Sequence, residues 1–347
     1  LKDQEITVHD LKGCLLIPGL VDSHTHPLFA GDRSNEFKDR LNGKSYQEIA
    51  TSGGGIQSTV SASRRSSCEE LEKLTTERLK KMLGLGVTSI EVKSGYGLSF
   101  EEELRHLRIL KSVSSKLATH VVSTCLALHA FPPKGEGSKE DYIRVVCEDL
   151  LPLVAQENLA QYVDAFIEEG YYSAKDCDVY FKKAKDLGLK IRVHADEFSD
   201  ASGAFAAASF CAASADHLQC TSPKGIQKMA EVSVVATLLP GTSLYTNIPF
   251  VQAKKFVDAG CAVAVGSDFN PGSCLLYNLP MLVSLAAIHC GLNMAEAFAS
   301  VTYVPAFSLG LSEYKGALAR GFDADFSVHQ SSTLAAWFAD FGQTSPK

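Results

Sequence analysis

The feature that most restricts the fold of this chain is a repeated alternation of short apolar runs with amphipathic helical segments. The runs are rich in β-branched residues, and most end in polar or chemically useful side chains. Parallel strands joined by crossover helices produce this alternation. We therefore predict an α/β fold, a (β/α)8 TIM-type barrel, with its reactive groups where the strands end. The eight runs occupy positions 14–22, 87–93, 118–129, 163–168, 190–194, 214–219, 234–239 and 262–268.

Helix signals and breaks in the rhythm support the same division of the chain. Capping boxes are predicted at Ser67-x-x-Glu70 and Ser99-x-x-Glu102, and a further helix over 174–187. A doubly wound open sheet is the alternative, but no glycine-rich nucleotide-binding motif follows the first run. The barrel rhythm covers residues 15–312. The segments 1–14 and 313–347 do not follow it and are predicted to form a small β appendage together.

Composition excludes several classes of function. A net charge of −7 and a pI near 5.8 provide no basic field for nucleic acid. No apolar stretch approaches the ~20 residues that span a bilayer. The ten cysteines form no CxxC pair, so we predict small buried side chains in a reducing compartment, without disulfides. We expect a cytoplasmic protein that acts on a small molecule and binds neither nucleic acid nor membranes.

Histidines and an aspartate at the ends of the runs predict a metal site. His24 and His26 follow the first run with one residue between them, so the alternation of a strand points both imidazoles to one side. His194 and Asp268 end two later runs. Three imidazole nitrogens and one carboxylate oxygen suit a single Zn²⁺ or Fe²⁺ and leave a position for water, which the ion acidifies. Alone, each residue is more commonly structural, and Asp268 would be read as part of a turn.

Several sequence motifs resemble those of a known family. The stretch PGLVDSHTH at 18–26, followed in order by His194, His217 and Asp268, resembles the amidohydrolase superfamily over nearly the whole chain. Within it, FAGDR at 29–33, NEF at 35–37, GGGI at 53–56 and KSGYGL at 93–98 resemble the imidazolonepropionases. The resemblance implies a (β/α)8 barrel with a small β-sandwich. It also implies hydrolysis of the cyclic amide of 4-imidazolone-5-propanoate to N-formimidoyl-L-glutamate in histidine degradation.

The resemblance also implies roles for individual residues. Asp268, His217 and Glu197 would be catalytic, through proton transfer and electrostatic stabilisation. Arg33 suits the substrate propionate, because a guanidinium can make a two-pronged contact with a carboxylate. In isolation, most of these residues would be read as packing, turn or ordinary surface positions. The substrate-binding set is Arg33, Tyr46, Tyr96, His129, Glu197, Asn270, Gly272 and Ser273.

Some alternatives remain open at this point. The run at 163–168 ends without the lysine that bridges two metals in related enzymes, so one metal is predicted, and Lys93 is given no role. Another single-metal amidohydrolase, such as an aromatic deaminase, would release ammonia and need no Arg33. A non-catalytic barrel that serves as a binding module is a second alternative. Compared with the family, the sandwich is expected to be incomplete at both ends of this chain, and a homodimer stays open.

Overall fold

The central feature of the fold is a barrel of eight parallel strands. The computed structural model describes residues 8–44, 48 and 54–347. The hydrogen-bonded order of the strands follows their order in the chain, and every neighbouring pair is parallel. The strands are β2 (Leu20–Asp22), β3 (Val87–Lys93), β4 (His120–Leu128), β5 (Tyr162–Ile167), β6 (Lys190–Ala195), β7 (Ser214–His217), β8 (Val235–Leu238) and β9 (Val263–Val265).

The two outermost strands of this sheet come together just beyond their carboxyl ends. Thr25 and Phe269 form a parallel bridge between the chain after β2 and the chain after β9. The backbone N–H of Asp268 donates to His24 at 2.9 Å, and that of His26 donates to Phe269 at 2.9 Å. These contacts nearly close the barrel, so the predicted barrel is confirmed. They also tie the two segments that carry the predicted metal ligands directly to each other.

Helices surround the barrel, and the capping boxes predicted at Ser67 and Ser99 form only in their serine half. The hydroxyls of Ser67 and Ser99 each accept a hydrogen bond from the backbone N–H three residues later. The helix predicted over 174–187 is found at Ala174–Asp186, with a complete capping box between Ser173 and Asp176. A π-helical turn, Val146–Leu150, links two of the helices.

The helices are α1 (Ser34–Leu41), α2 (Ile56–Arg65), α3 (Cys68–Leu83), α4 (Phe100–Ser114), α5 (Lys139–Val145), α6 (Leu151–Gln156), α7 (Ala174–Asp186) and α8 (Gly203–Ser209). They continue as α9 (Pro223–Glu231), α10 (Pro240–Thr246), α11 (Ala253–Ala259), α12 (Leu279–His289), α13 (Met294–Ala299), α14 (Tyr303–Ser308) and α15 (Leu334–Ala339).

The first apolar run differs from its prediction, because it forms two strands in two sheets. Strand β1 (Leu15–Pro18) pairs antiparallel with β10 (Phe326–His329), and only β2 enters the barrel. Gly19 separates the two strands. A Cβ there would collide with the side chain of Thr88, so the chain passes from one sheet to the other where no side chain fits. We call the β1 and β10 pair the small sheet. It is the part of the expected appendage that the described residues form, and the division of the chain at 14 and 313 stays a prediction.

Burial separates the cysteines into three groups. Six are buried and Cys14 is partly buried, but Cys68, Cys211 and Cys220 are exposed, so the prediction of buried cysteines was wrong for these three. All ten lie within the described residues, and none forms a disulfide there. In the part of the chain that the structure covers, no helix is both long and apolar enough to span a bilayer. The apolar core lies between the strands and the surrounding helices.

Candidate metal centre and substrate cavity

The predicted metal-binding residues meet at the carboxyl end of the barrel. His24 and His26 follow β2, His194 lies in β6, and Asp268 follows β9. All four side chains are almost completely buried. We call these four residues the ligand cluster. Residues separated by up to 244 positions in the chain come together because parallel strands present their carboxyl ends on one side of the barrel.

The distances within the ligand cluster fit one divalent ion. The Nε2 atom of His26 lies 3.2 Å from that of His24 and 3.4 Å from that of His194. Asp268 Oδ1 lies 3.5 Å from His24 Nε2 and 3.4 Å from His26 Nε2. A tetrahedron of donors about 2.0–2.1 Å from a zinc ion has edges of roughly 3.3–3.4 Å. The four measured distances are close to these edges. Two sets of three residues are each compact enough to share an ion: His24 with His26 and Asp268, and His24 with His194 and His217.

Electrostatics in the ligand cluster favour one positive charge among otherwise neutral imidazoles. Burial and Lys93 act to lower the pKa of His24, but its hydrogen bonds to Asp216 and Asp268 raise that pKa to about 9. Burial lowers the pKa of His26 and, to a greater extent, that of His194. Burial opposes ionisation of Asp268, yet hydrogen bonds from His24 and His26 hold its pKa well below the usual range. His26 and His194 therefore keep a lone pair available for a cation, whereas an ion bound at this centre would displace the proton of His24.

A second layer of carboxylates lies behind the histidines. His24 Nδ1 donates to Asp216 Oδ2 at 2.7 Å, which leaves Nε2 as the metal-facing nitrogen. His194 Nδ1 lies 2.9 Å from Asp164 Oδ2, but the angle is too bent for a hydrogen bond. The backbone N–H of His194 donates to the other oxygen of Asp164 at 3.1 Å. These carboxylates fix the orientation of His24 and the position of His194.

His217 and Glu197, both predicted as catalytic, lie beside the ligand cluster. His217 ends β7, and its φ of +79° places it in the left-handed region, where a non-glycine residue is strained. Its Nδ1 lies 3.6 Å from Glu197 Oε1. Burial lowers the pKa of His217 to about 4. Burial, and then the charges of Asp268 and Glu168, raise the pKa of Glu197 well above its ordinary value. An imidazole whose neutral form is favoured therefore lies beside a carboxyl group whose protonated form is favoured by burial.

A cavity of about 60 Å³ opens directly over this centre. The cavity brings together most of the predicted substrate-binding residues. Tyr46 lies outside the described residues, so its predicted contact is left without a structural description. The lining residues are His26, Arg33, Ile56, Tyr96, His129, Phe166, His194, Glu197, Phe198, His217, Asp268, Asn270 and Ser273.

Arg33 reaches the cavity from the start of α1 and is positioned by Glu36. Its Nε and Nη2 donate to Glu36 Oε2 at 3.0 and 2.7 Å. The other oxygen of Glu36 accepts from the backbone N–H of Gly55 at 3.0 Å. The guanidinium lies against Gly272, where any Cβ would overlap it. Gly272 therefore leaves the space that the Arg33 guanidinium occupies. The sequence analysis placed Gly272 in the substrate-binding set without identifying this contact.

The turn at 270–273 uses the polar atoms of Asn270 for its own structure. Asn270 Oδ1 accepts from the N–H groups of Gly272 and Ser273 at 2.8 and 2.7 Å. Its Nδ2 donates to the carbonyl of Asp268 at 2.7 Å and to Ser273 Oγ at 2.8 Å. Asn270 therefore shapes this wall of the cavity as well as lining it, as an Asx turn would.

Tyr96 and His129 form the opposite wall. His129 Nδ1 lies 3.0 Å from the carbonyl of Gly95, so Nδ1–H is the donor, and its ring stacks on His26 at 5.4 Å. Burial lowers the pKa of His129 to about 3. The loop that carries Tyr96 is held by Glu103, which accepts from three backbone N–H groups at 3.1, 2.7 and 3.0 Å. Glu103 lies on α4, and the sequence did not single it out.

Other supporting residues also escaped the sequence analysis. Thr242 donates a short hydrogen bond to Asp268 Oδ2, the oxygen that does not face the imidazoles. Lys93, which was given no role, is buried beneath the ligand cluster between carboxylates. No local signal marks these residues, because a threonine in a helix or a lysine at a strand end is common. Only the strand order of the barrel brings them to the site.

Comparisons with known proteins agree with this site. A sequence profile described as the amidohydrolase family matches residues 32–336. An imidazolonepropionase of Symbiobacterium thermophilum is 43% identical over 328 residues, which cover 94% of this chain and 77% of that protein. An imidazolonepropionase of Clostridium tetani is 40% identical over 326 residues, covering 94% of this chain and 78% of that protein.

Solved structures show the same fold at much lower identity. A 5-methylcytosine deaminase from Klebsiella pneumoniae superposes with a TM-score of 0.75 at 15% identity, covering 99% of this chain and 87% of that one. A zinc-bound adenosine deaminase from Xanthomonas campestris gives a TM-score of 0.68 at 16% identity, covering 96% and 77%. These neighbours support the barrel architecture only. The profile and the curated relatives go further, and they show that the chain belongs to the imidazolonepropionase family of amidohydrolases.

Proposed function

We propose that the ligand cluster holds one divalent ion, Zn²⁺ or Fe²⁺, and that the residues around it open the ring of 4-imidazolone-5-propanoate to give N-formimidoyl-L-glutamate. Family membership makes the protein a hydrolase of histidine degradation. The observation that carries the metal assignment is the spacing of the donor atoms: His26 Nε2 lies 3.2–3.4 Å from the Nε2 atoms of His24 and His194, and Asp268 Oδ1 lies 3.4–3.5 Å from those of His24 and His26. When bound, the ion would supply Lewis-acid activation of water and of the ring carbonyl.

The protein's own groups position the substrate. The propionate carboxylate would bind at Arg33, because a guanidinium makes charge-assisted, two-pronged contacts with carboxylates. Glu36 already pairs with Arg33, so the substrate carboxylate would share the guanidinium with Glu36 or replace it. The ring would then lie between the wall formed by Tyr96 and His129 and the ligand cluster. The burial of this site and the guanidinium on its wall suit a small heterocycle with one anionic arm.

The remaining groups would transfer protons and stabilise charge. Asp268, whose pKa is held low, suits the acceptor of a proton from the attacking water. Glu197, whose pKa is raised, suits the group that holds a proton and passes it to the departing ring nitrogen. His217 would donate to the oxygen on which negative charge develops, as preorganised electrostatic stabilisation requires. Cleavage of the ring C–N bond then releases the formimidoyl product.

Removal of the metal tests this proposal. We expect chelator-treated protein and His24→Ala to lose consumption of imidazolone-propanoate, followed by ultraviolet absorbance, by more than about 100-fold, beyond the usual cost of losing an outer-layer contact. Adding Zn²⁺ or Fe²⁺ should restore the treated protein, and elemental analysis should find one ion per chain. His289→Ala, which removes an exposed histidine stacked on Phe250, is the matched control and should remain active.

Three results would contradict the proposal. Full activity after metal removal would refute the role of the ligand cluster. Release of ammonia in place of formimidoyl-glutamate would refute the reaction and favour a deaminase. Binding of one ion per chain without any turnover of the imidazolone would instead indicate a barrel that only binds its ligand.

A further inference from the structure

We propose that Lys93 is a positioning residue for the metal site, a single buried ammonium group that fixes all three carboxylates behind the metal-ligating histidines. This inference rests on the proposed function. The evidence is a juxtaposition: Lys93 Nζ lies 2.8 Å from Glu91 Oε1, 2.8 Å from Asp164 Oδ2 and 3.9 Å from Asp216 Oδ2. All four side chains are completely buried.

Two of the three carboxylates contact histidines of the ligand cluster, and the third contacts the residue between His24 and His26. Asp216 accepts from His24 Nδ1, and Asp164 contacts His194 through both its ring and its backbone N–H. Glu91 accepts from the backbone N–H of Thr25 at 3.3 Å, and its carbonyl accepts from the Thr25 hydroxyl. Thr25 lies between His24 and His26. Lys93 therefore supports the positions of all three imidazoles without contacting any of them.

The backbone of Lys93 adds a further tie to the same segment. Its N–H donates to the carbonyl of Thr25 at 3.0 Å, so β3 holds the chain just beyond β2. Arg192 is the other cation nearby. It lies 3.5 Å from Asp216 and donates to the carbonyl of Ser23 at 2.9 Å. Among the three carboxylates, Arg192 comes within ion-pair distance of Asp216, and its charge also acts on Glu91 and Asp164 from farther away. The direct ion pairs of Glu91 and Asp164 are therefore those with Lys93.

Without the ammonium group, Glu91 and Asp164 would lose the cation that pairs with both of them directly. Buried charges without a direct partner are strongly unfavourable, so the carboxylates would move or take up protons. Both responses would change the hydrogen bonds that direct the imidazoles. Substitutions in such an outer layer typically weaken metal binding by about 10–100-fold. A positioning role therefore predicts weaker binding after Lys93 is removed.

Simple charge repulsion predicts the opposite change in metal affinity when Lys93 is replaced. The two explanations can therefore be distinguished by measuring that affinity. If Lys93 were only a positive charge near the ion, its removal would reduce repulsion and tighten metal binding. We would titrate metal-stripped protein with Zn²⁺ in competition with a chromophoric chelator. Lys93→Met should bind Zn²⁺ about 10–100-fold more weakly than the unmodified chain. Equal or tighter binding would overturn the assignment.

Matched variants separate this effect from a general loss of stability. Lys315→Met removes another buried lysine, which pairs with Asp323 and Asp325 away from the cavity. It should lower the midpoint of urea unfolding but leave Zn²⁺ affinity unchanged. If Lys93→Met does not fold, Lys93→Met/Glu91→Gln removes one charge of each sign and should fold. That double variant should still bind Zn²⁺ more weakly than Glu91→Gln alone, and equal affinity of the two would overturn the inference.

The same titration distinguishes failure of this inference from failure of the proposed function. If the unmodified chain took up no divalent ion, the proposed function would fail and this inference with it. If the unmodified chain bound one Zn²⁺ and Lys93→Met bound it equally well, only the role of Lys93 would be refuted.

Discussion

Two buried lysines in this protein lie in contrasting surroundings, one inside the barrel and one beside the small sheet. Lys93 pairs with carboxylates that are completely buried, whereas the partners of Lys315, Asp323 and Asp325, are 51% and 34% exposed. Water can solvate the second pair if one partner is lost, but it cannot reach the first. Loss of one partner therefore has different consequences for the stability of the two lysine–carboxylate pairs. Buried charge at the catalytic end is held by a network, while charge beside the small sheet is largely screened.

The catalytic end depends on such networks even where no metal ligand is involved. Glu103 accepts from the backbone N–H groups of Gly95, Gly97 and Leu98, and it is completely buried. We expect Glu103→Ala to lower the free energy of unfolding by about 3 kcal/mol, since each buried donor left unpaired costs roughly 1–3 kcal/mol and water would satisfy some of them. Equilibrium urea unfolding would measure the loss.

A substitution beside the small sheet serves as the comparison for Glu103→Ala. Asp325→Ala removes a partner of Lys315, but the remaining charge stays close to water, so the loss should be about 1 kcal/mol or less. If the two substitutions cost the same, the distinction between the two regions would not hold. If Glu103→Ala also raises KM for the substrate, the loop that it holds positions Tyr96 in the cavity.

Replacement of Arg33, at the catalytic end of the barrel, should affect substrate binding. We expect Arg33→Met to lower kcat/KM by about 30-fold, chiefly through KM, because a hydrogen bond to a charged group contributes about 1.5–3 kcal/mol. Steady-state kinetics would test this, with Lys315→Met as the control that leaves both constants unchanged. An imidazolone without the carboxylate arm should be turned over equally by the unmodified and Arg33→Met proteins. Unequal turnover would mean that Arg33 acts on something other than the propionate.

The sequence predicts the positions that local patterns encode and misses those that depend on distant pairing. The run at 87–93 coincides with β3, and the alternation of His24 and His26 correctly places both imidazoles on one side. The split at Gly19 was missed because residues 14–22 read as one continuous apolar run. Lys93 was set aside because its partner Asp164 lies 71 positions away. Which buried charges pair is decided by strand order, and a single sequence does not contain that information locally.

A further expected effect concerns acid stability and involves two histidines. His106 on α4 is completely buried, and neither ring nitrogen has a hydrogen-bond partner among the described residues. Burial, and then the nearby charges of Arg105 and Arg64, lower its pKa from 6.5 to about 3. Between these values the unfolded chain binds a proton at His106 that the folded chain does not, so folding stability falls as the pH drops below 6.5.

Replacing His106 should therefore remove part of this acid sensitivity. Between pH 7.5 and 5.5, His106→Leu should lose about 1.4 kcal/mol less stability than the unmodified chain, from one pH unit of protonation in the unfolded state. His329, beside the small sheet, contacts Ser327 Oγ at 2.9 Å, and Asp340 opposes the lowering of its pKa by burial. His329→Leu should therefore change the pH dependence less. Urea unfolding of the three proteins at both pH values measures this difference. If the stability of His106→Leu and of the unmodified chain changed equally with pH, His106 would be protonated as readily in the folded state as in the unfolded one.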